Sequence, residues 1–245
     1  WIFYFEIPWQ LGAEFFYKNL IDADPASNTL SWRWVAGLQT RGKTYVTSKE
    51  NINKFTNNRF DFPPDFHVEK KYIDDKKIYD PVPIQRMELL DENMSTGYLI
   101  YEEDLSLFNI KKNLPIIIQS KSYNPYRQEK LPLKISNECL KNTIQKCKTS
   151  YSKNITTFTW DKPEIIKNWT LKNNISQIEL SSPAVGKYKY MIPQVMKRLN
   201  LEYSYVYHDW DLLLWKYSDR GFFKLKKNIK KVISPFWEEP LFRNN

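Results

Sequence analysis

The chain of 245 residues has few of the residue types that build metal centres and disulfide frameworks. It holds two cysteines, Cys139 and Cys147, and two histidines, His67 and His208. The cysteines fall on one predicted helix and the histidines have no zinc-ligand spacing, so we expect neither a disulfide framework nor a metal site. Cysteines used in this way are typical of a reducing compartment, and the sequence therefore predicts a cytoplasmic protein.

Long apolar runs are also missing. Charged residues make up 27% of the chain, and they interrupt every apolar stretch before it reaches the roughly 18 residues that suggest a membrane-spanning helix. The apolar residues 1–7 contain Glu6 and no basic leader, which argues against a signal peptide. We expect residues 1–7 to be the middle of a helix and the chain, which starts with Trp1, to be the back part of a longer reading frame.

The charge balance is basic, with a net charge of +9 and a pI near 9.2. A basic surface attracts polyanions such as DNA, although lysine is also frequent in proteins from AT-rich genomes. Residues 224–231 carry the densest basic run and predict an amphipathic helix. Its lysines are either a solvated face, which is the more common case, or a nucleic-acid contact.

Aromatic residues make up 16% of the chain, and several of them follow a short polar segment. Residues 22–28 contain two acids and an amide, and Trp32 and Trp34 come soon after. This arrangement suits a polar clamp for a ring with hydrogen-bonding edges, beside indoles that can stack or carry electrons. The alternative is a capped turn between two aromatic-rich helices.

Three neighbouring stretches extend this pattern: residues 9–16 (WQLGAEFF), 20–28 (LIDADPASN) and 32–37 (WRWVAG). In this order they resemble the photolyase/cryptochrome family, in the part of its helical domain that holds the isoalloxazine ring of FAD. The resemblance covers residues 1–60. It implies FAD as the cofactor and UV-damaged DNA as the partner.

The polar residues of the pattern match the family's flavin contacts. Asp22 and Asp24 match the acidic pair that lines the flavin cavity, and the resemblance implies that Asp22 pairs with an arginine upstream of this chain. Asn28 matches the side chain that faces N5 of the flavin and helps to set its protonation. The family's remaining flavin contacts are expected before residue 1.

The tryptophans match residues that carry electrons or hold the lesion. Trp32 matches the tryptophan nearest the flavin in the photoreduction relay, and Trp9 matches the next one outward. Trp34 matches an aromatic wall of the pocket that receives a flipped pyrimidine dimer. The alternative is that these indoles are ordinary core residues.

The pattern of apolar residues divides the chain into a helical segment (1–60), a linker rich in Pro, Asp and Lys (61–95) and a region of alternating strands and helices (96–245). In the first segment we expect one helix that ends near residue 20, a second at 30–38 and a third that starts near 48. In the last region the predicted strands are 97–101, 114–119, 155–160, 175–180 and 203–207, and the predicted helices are 136–150, 163–172 and 183–200. The sequence thus predicts a mixed α and α/β fold, in which a small doubly wound, mainly parallel, Rossmann-like α/β domain follows the helical flavin-binding segment.

The α/β region has its own, fainter resemblance. Residues 97–107 are similar to the strand and loop that open the family's antenna domain, which there precedes the flavin domain. Here Glu102 and Glu103 replace the basic residues usual at this point, which argues against an antenna chromophore.

Two polar features of the α/β region could also form sites. Residues 181–186 lie between a strand and a helix, where anions bind, but they lack the glycine fingerprint and favour a tight connecting turn. His208 could form an acid–base pair with Asp209 or Asp211, or it could satisfy loop hydrogen bonds. No nucleophile is nearby, so the second interpretation is favoured.

The function implied by the family resemblance is FAD-dependent, light-driven repair of pyrimidine dimers in DNA by electron transfer, the deoxyribodipyrimidine photo-lyase reaction. Both cyclobutane dimers and (6-4) products remain possible substrates. The first alternative is a cryptochrome-like blue-light photoreceptor that binds FAD without repair. The second is a helical and α/β binding protein without flavin.

Overall fold

A computed structural model of the chain describes residues 1–22, 24–39, 43–69, 91, 93–107, 110, 113–124, 129–151, 155–218 and 222–237. Up to residue 69 the described residues form three helices, and from residue 96 onward they form one five-stranded sheet with five helices. The predicted mixed α and α/β fold is therefore confirmed. Most of the predicted linker, residues 70–90 and 92, lies outside the described residues.

The helical segment contains α1 (Trp9–Asn19), α2 (Pro25–Val35) and α3 (Lys49–Thr56). Helix α2 starts earlier than the expected residue 30, because Asp24 caps it and Pro25 occupies its first position. The Asp24 carboxylate accepts a hydrogen bond from the Ser27 amide at 2.6 Å, and the fixed φ of proline suits the first turn of a helix. The capping signal was in the sequence, within the segment interpreted as a turn.

Residues 1–8 are not helical, so the prediction of a helix at residues 1–7 is wrong. Pro8 stands at the N-cap of α1, and a residue before proline disfavours the helical region of backbone space. Glu6 adopts a positive φ of 55°, and the Ile7 amide donates to the Trp1 carbonyl at 3.1 Å. The chain therefore folds back on itself before α1 begins.

This folded-back start forms part of the core of the helical segment. Ile2 and Phe3 are buried together with Ala36 and Val68, and Phe66 packs against them. Phe66 and Val68 lie within the predicted linker, so the start of that linker packs onto the helices. The domain boundaries at 60 and 95 stay a prediction.

The sheet of the α/β region is entirely parallel, with strand order β3-β2-β1-β4-β5. Leu99 on the central strand pairs with Ile117 on one side and with Leu180 on the other. The strands are β1 (Thr96–Ile100), β2 (Ile116–Gln119), β3 (Ile155–Phe158), β4 (Gln177–Ser181) and β5 (Glu202–Val206). All five predicted strands are present and differ from their expected bounds by at most two residues at either end.

Both faces of the sheet are covered, as a doubly wound fold requires. Leu99 and Ile117 point to one core, where α5 and α6 pack, whereas Ile116 and Ile118 point to a second core with Cys147 of α4. Strands buried on both faces are rich in apolar residues, as are residues 116–118 of β2. The helices are α4 (Lys130–Ser150), α5 (Glu164–Lys172), α6 (Lys187–Leu199), α7 (Asp209–Trp215) and α8 (Phe222–Trp237).

Three of these helices differ from the expectation. Helix α4 begins six residues before residue 136, because Pro132 falls in its first turn, where proline is tolerated. Helix α6 begins only at Lys187, and residues 182–184 are irregular. Helix α7 was not predicted. Helix α8 confirms the amphipathic helix expected at 224–231, and Val232 is buried on its apolar side.

Among the described helices, none combines the length and the apolar character that a bilayer crossing demands. The cytoplasmic setting inferred from cysteine usage stays a prediction.

A substitution at Gly97 tests how tightly the central strand is packed. A Cβ at this position would lie 2.4 Å from the ring of Trp169, which is 3% exposed, and 2.7 Å from Ile175. We expect Gly97→Ala to lower the free energy of unfolding by about 1–3 kcal/mol, the usual cost of overpacking a core. Urea denaturation measures it. Gly186→Ala is the matched control, because its Cβ would meet nothing nearer than Pro25 at 3.7 Å, and equal losses in both variants would contradict the packing argument.

Candidate flavin site

A cavity of about 580 Å³ opens between α1, α2 and the folded-back start of the chain. This volume is in the range of small-molecule sites, about 300–1,000 Å³. Aromatic and aliphatic side chains make up much of the wall, and carboxylate, amide and hydroxyl groups complete it. The lining includes Trp1, Ile2, Phe3, Tyr4, Phe16, Leu20, Asp22, Asp24, Ser27, Asn28, Ser31, Trp32, Val35, Tyr45, Thr47 and Val68.

Asp24 and Asn28 are held in place by the helices that they join. Asp24 caps α2 through the Ser27 amide. The Asn28 side-chain nitrogen donates to the Ala13 carbonyl of α1 at 2.7 Å. This bond fixes the orientation of the Asn28 amide, so that its oxygen is the acceptor that remains for a ligand.

Trp32 lies against α1 at a position where only glycine fits. A Cβ on Gly12 would come within 2.1 Å of the Trp32 ring. The Trp32 ring also makes edge contacts with Phe16, at a centroid distance of 5.1 Å, and with Trp1, at 6.1 Å. Gly12, Phe16 and Trp1 are thus parts of the site that the sequence analysis did not single out. The sequence signal for this contact was a small residue, Gly12, in one helix and a large aromatic residue, Trp32, in the next.

Trp9 and Trp34 do not line the cavity. Trp9 packs at the edge of the core of the helical segment. The guanidinium of Arg33 lies 5.8 Å from the centroid of the Trp9 ring. Trp34 is 48% exposed and packs against Tyr45 with a centroid distance of 5.1 Å. Residues two positions apart on a helix point in directions about 200° apart, so Trp34 points away from Trp32. Trp34 reaches the cavity only through Tyr45, which lines it. The structure therefore brings Asp22, Asp24, Asn28 and Trp32 together and leaves Trp9 and Trp34 outside.

A second cavity, of about 400 Å³, lies between the helical segment and the α/β region. The strand order reverses between β1 and β4, the place where open α/β sheets bind ligands. The cavity has an acidic wall from both parts of the chain, formed by Asp22, Asp24, Glu102 and Glu103. Asp22 and Asp24 line both cavities.

Glu102 is fixed by a network of donors. Its carboxylate accepts hydrogen bonds from the hydroxyls of Tyr188 and Ser122 and from the Tyr123 amide, the last at 3.0 Å. Gln119 donates to the same carboxylate at 3.3 Å. A carboxylate with so many donors stabilises the fold at the end of β1. No sequence pattern predicted this network.

His208 bonds to an acid that the sequence analysis did not consider as its partner. Its Nε2 lies 2.7 Å from the carboxylate of Asp104. Burial raises the pKa of Asp104, but hydrogen bonds from Ser106 and His208 outweigh it and hold the pKa below its ordinary value. The pair links the loop after β1 to the start of α7. Among the described residues, no group of three or more His, Cys, Asp or Glu side chains could hold a metal ion.

The comparisons with known proteins address the helical segment. Residues 3–100 match the family model of the FAD binding domain of DNA photolyase. This part of the chain is therefore similar to the FAD-binding domain of the photolyase/cryptochrome family. The matched range extends well past residue 60, where the resemblance seen in the sequence ended, and it identifies FAD as the cofactor.

One relative is a deoxyribodipyrimidine photo-lyase from Agrobacterium fabrum, which is 55% identical over 31 residues. The aligned stretch is 13% of this chain and 6% of that relative, so the chain spans only a small part of the relative's length. No solved structure matches the chain.

The residues of the first cavity fit the flavin ring system. An isoalloxazine has flat apolar faces and one edge of alternating donors and acceptors. The cavity offers indole and phenyl rings from Trp1, Phe16 and Trp32, together with the carboxylate of Asp24 and the amide of Asn28. Flat apolar walls with a few convergent polar groups are the usual composition of such sites.

Gly12 provides a test of this cavity. Gly12→Ala places a methyl group within the Trp32 ring, so the ring must move. We expect the Kd for FAD to rise by about tenfold or more, equivalent to ~1.4 kcal/mol. Quenching of flavin fluorescence on binding measures this Kd, and Gly186→Ala is again the control. An unchanged Kd would place the flavin away from Trp32.

Glu103 should make stability depend on pH. Burial raises the pKa of Glu103 to about 7, and the charges of Glu102 and Asp24 add to the increase, whereas the Ala184 amide opposes it. An acid whose pKa is higher in the folded state than its ordinary 4.5 stabilises the fold at low pH, and this stability is lost as pH rises from about 4.5 to 7.

We therefore expect the free energy of unfolding of Glu103→Gln, relative to that of the unchanged protein, to be higher at pH 8 than at pH 5. Urea denaturation at the two pH values gives the difference, in which the titration of other groups cancels. A difference that is the same at both pH values would show that Glu103 titrates normally.

Proposed function

We propose that the protein carries out FAD-dependent, light-driven repair of pyrimidine dimers in DNA, the deoxyribodipyrimidine photo-lyase reaction. The observation that carries this proposal is the convergence of Asp22, Asp24, Asn28 and Trp32 on one cavity. These are the residues that the sequence resemblance implies as flavin contacts. The match of residues 3–100 to the FAD binding domain of DNA photolyase supports the same chemistry.

FAD, when bound, supplies light absorption and one-electron transfer. The chain supplies position and electrostatics. Asn28, anchored to Ala13 through its amide nitrogen, would offer its amide oxygen to the bound flavin. Trp32, held by Gly12 and Phe16 in the wall of the cavity, would be the residue that donates an electron to it.

The lesion is held by the aromatic pair of Trp34 and Tyr45. The two rings pack at 5.1 Å, and Tyr45 lines the flavin cavity, so a flipped dimer stacked on this pair would lie at the cavity wall. Stacking of a base on an aromatic side chain contributes about 1–3 kcal/mol. This is the role that the sequence resemblance implied for Trp34.

DNA is the proposed partner, and charge supports it. Helix α8 has no acidic residue, and Lys226, Lys227, Lys230 and Lys231 are exposed along it. Together with the net charge of +9, these lysines favour attraction to phosphates, which salt weakens. The salt dependence of DNA binding distinguishes a DNA contact of α8 from a solvated face. Replacing the lysines of α8 by glutamine lowers this dependence if they contact phosphates and leaves it unchanged if they do not.

A cryptochrome-like photoreceptor that binds FAD without repair is the second candidate. One observation favours it: Trp34 lies outside the cavity lining, so the wall for a lesion is less complete than the site for the flavin.

Light-dependent repair distinguishes the two functions. The protein with FAD is incubated with oligonucleotides that contain a cyclobutane dimer or a (6-4) product, in blue light and in the dark, and the intact bases are measured by chromatography. We expect repair of one lesion only in the light. We expect Trp34→Ala to lower lesion affinity by about tenfold or more, the value of one stacked base, while Trp210→Ala, an exposed control, leaves it unchanged.

The opposite result is equally clear. Reversible photoreduction of bound FAD without repair of either lesion would reject the photolyase and favour the photoreceptor. A protein that binds no FAD would reject both.

A further inference from the structure

We propose that the contact between the helical segment and the α/β region responds to pH: it is closed while the Glu103 carboxyl is protonated and opens when this carboxyl loses its proton. The inference concerns the second cavity and does not require bound flavin. It goes beyond the proposed function, since it describes how two parts of the chain separate and rejoin.

The two parts meet on either side of the second cavity. Helix α1 packs against α4, and the Asn124 side-chain nitrogen donates to the Tyr17 hydroxyl at 2.6 Å. Gly186, just before α6, lies near the start of α2, because a Cβ on Gly186 would be 3.7 Å from a side-chain carbon of Pro25. A hydrogen bond between neutral groups adds little net stability, since water replaces it in the open form. Charges across the cavity can therefore decide whether the contact stays closed.

Carboxyl groups from both parts face this cavity. Asp22 and Asp24 belong to the helical segment, and Glu102 and Glu103 belong to the α/β region. Among the described residues that line the cavity, none is a lysine, an arginine or a histidine. Like charges repel more strongly in a partly buried cavity than in bulk water. Ionisation of all four carboxyl groups therefore favours separation of the two parts.

Glu103 is the group whose proton controls this repulsion. Burial raises the pKa of Glu103 to about 7, and the charges of Glu102 and Asp24 add to the increase, whereas the Ala184 amide, which donates at 3.2 Å, opposes it. Asp24 lies in the other part of the chain, so its share of the increase exists only while the contact is closed. The closed form thus holds the proton more tightly than the open form. It is favoured at low pH and loses this advantage as pH rises from about 4.5 to 7.

The other titratable groups around Glu103 do not remove this dependence. Lys187 begins α6, donates to the Tyr123 carbonyl and lies outside the cavity lining. Burial lowers the pKa of Lys187 to about 8, and the charge of Glu102 opposes this, so Lys187 changes its charge only above the range in which Glu103 does. Burial raises the pKa of Tyr188 above its ordinary value, so Tyr188 stays neutral. The titratable groups that line the cavity are Tyr17, Asp22, Asp24, Glu102, Glu103 and Tyr188.

Distances between two spin labels in the full chain test this contact. One label is placed on Cys139, an exposed residue of α4, and the other on a cysteine introduced by Gln10→Cys, at an exposed position of α1. Cys147 is buried and stays unlabelled. We expect one short distance at pH 5. At pH 8 we expect a longer one, with the ratio of open to closed forms raised by about tenfold or more, the effect of one pKa unit. The same distances at both pH values would overturn the inference.

Two variants identify the titrating group. Glu103→Gln keeps the size of the side chain and an acceptor for the Ala184 amide but cannot ionise, so we expect the short distance at both pH values. Glu164→Gln removes an exposed carboxyl that lies outside the cavity, and this control should respond to pH as the unchanged protein does. A pH response that persists in Glu103→Gln would assign the change to another group, such as Lys187, and would overturn the role of Glu103.

Salt separates repulsion from a loss of structure. In 1 M sodium chloride the Debye length is about 3 Å, so we expect the short distance to return at pH 8. Far-ultraviolet circular dichroism should show the same helix content at both pH values. A longer distance that persists in high salt would show that repulsion does not drive the opening.

Failure of this inference and failure of the proposed function give different results. The distances are measured with and without FAD. A chain that binds no FAD but responds to pH through Glu103 would reject the proposed function and support this inference. Repair in the light, together with distances that do not change with pH, would do the reverse.

Discussion

The contact between Gly12 and the Trp32 ring determines the geometry of the helical segment. Because position 12 has no side chain, the Trp32 ring of α2 can lie directly against α1. The Asn28 bond to Ala13 joins the same two helices one residue further along α1. These two contacts leave the polar residues of the α1–α2 connection and the face of Trp32 on one cavity. Any side chain at position 12 would separate the helices and displace the ring.

The acidic connection between α1 and α2 serves two sites. Asp22 and Asp24 line the candidate flavin cavity and also the cavity at the ends of β1 and β4, so the helical segment and the sheet share one wall. Asp24 is committed to the cap of α2, and its charge raises the pKa of Glu103 across the second cavity. A change of charge on one side of this wall is therefore felt on the other. The two parts of the chain are electrostatically coupled although different local patterns formed them.

The features that depend on residues close together in the sequence could be predicted from the sequence. The apolar run at residues 116–118 predicted a buried parallel strand, and the order of the acids, the amide and Trp32 selected residues that the structure brings to one cavity. The start of α2 was missed because its cap, Asp24, was read as part of a turn. The Glu102 network was missed because its donors, Ser122 and Tyr188, come from distant positions in the chain. Only the folded sheet brings them to the end of β1.

The tryptophans show where sequence order and spatial order separate. Trp32 and Trp34 are neighbours in sequence, yet a helix places them on different sides, and Trp34 packs on Tyr45. Trp1 is far from Trp32 in sequence, yet Pro8 and the positive φ of Glu6 turn the chain back and bring their rings into contact. Matched positions in a sequence pattern thus do not show which rings touch, because the turn before α1 and the rotation along α2 decide those contacts.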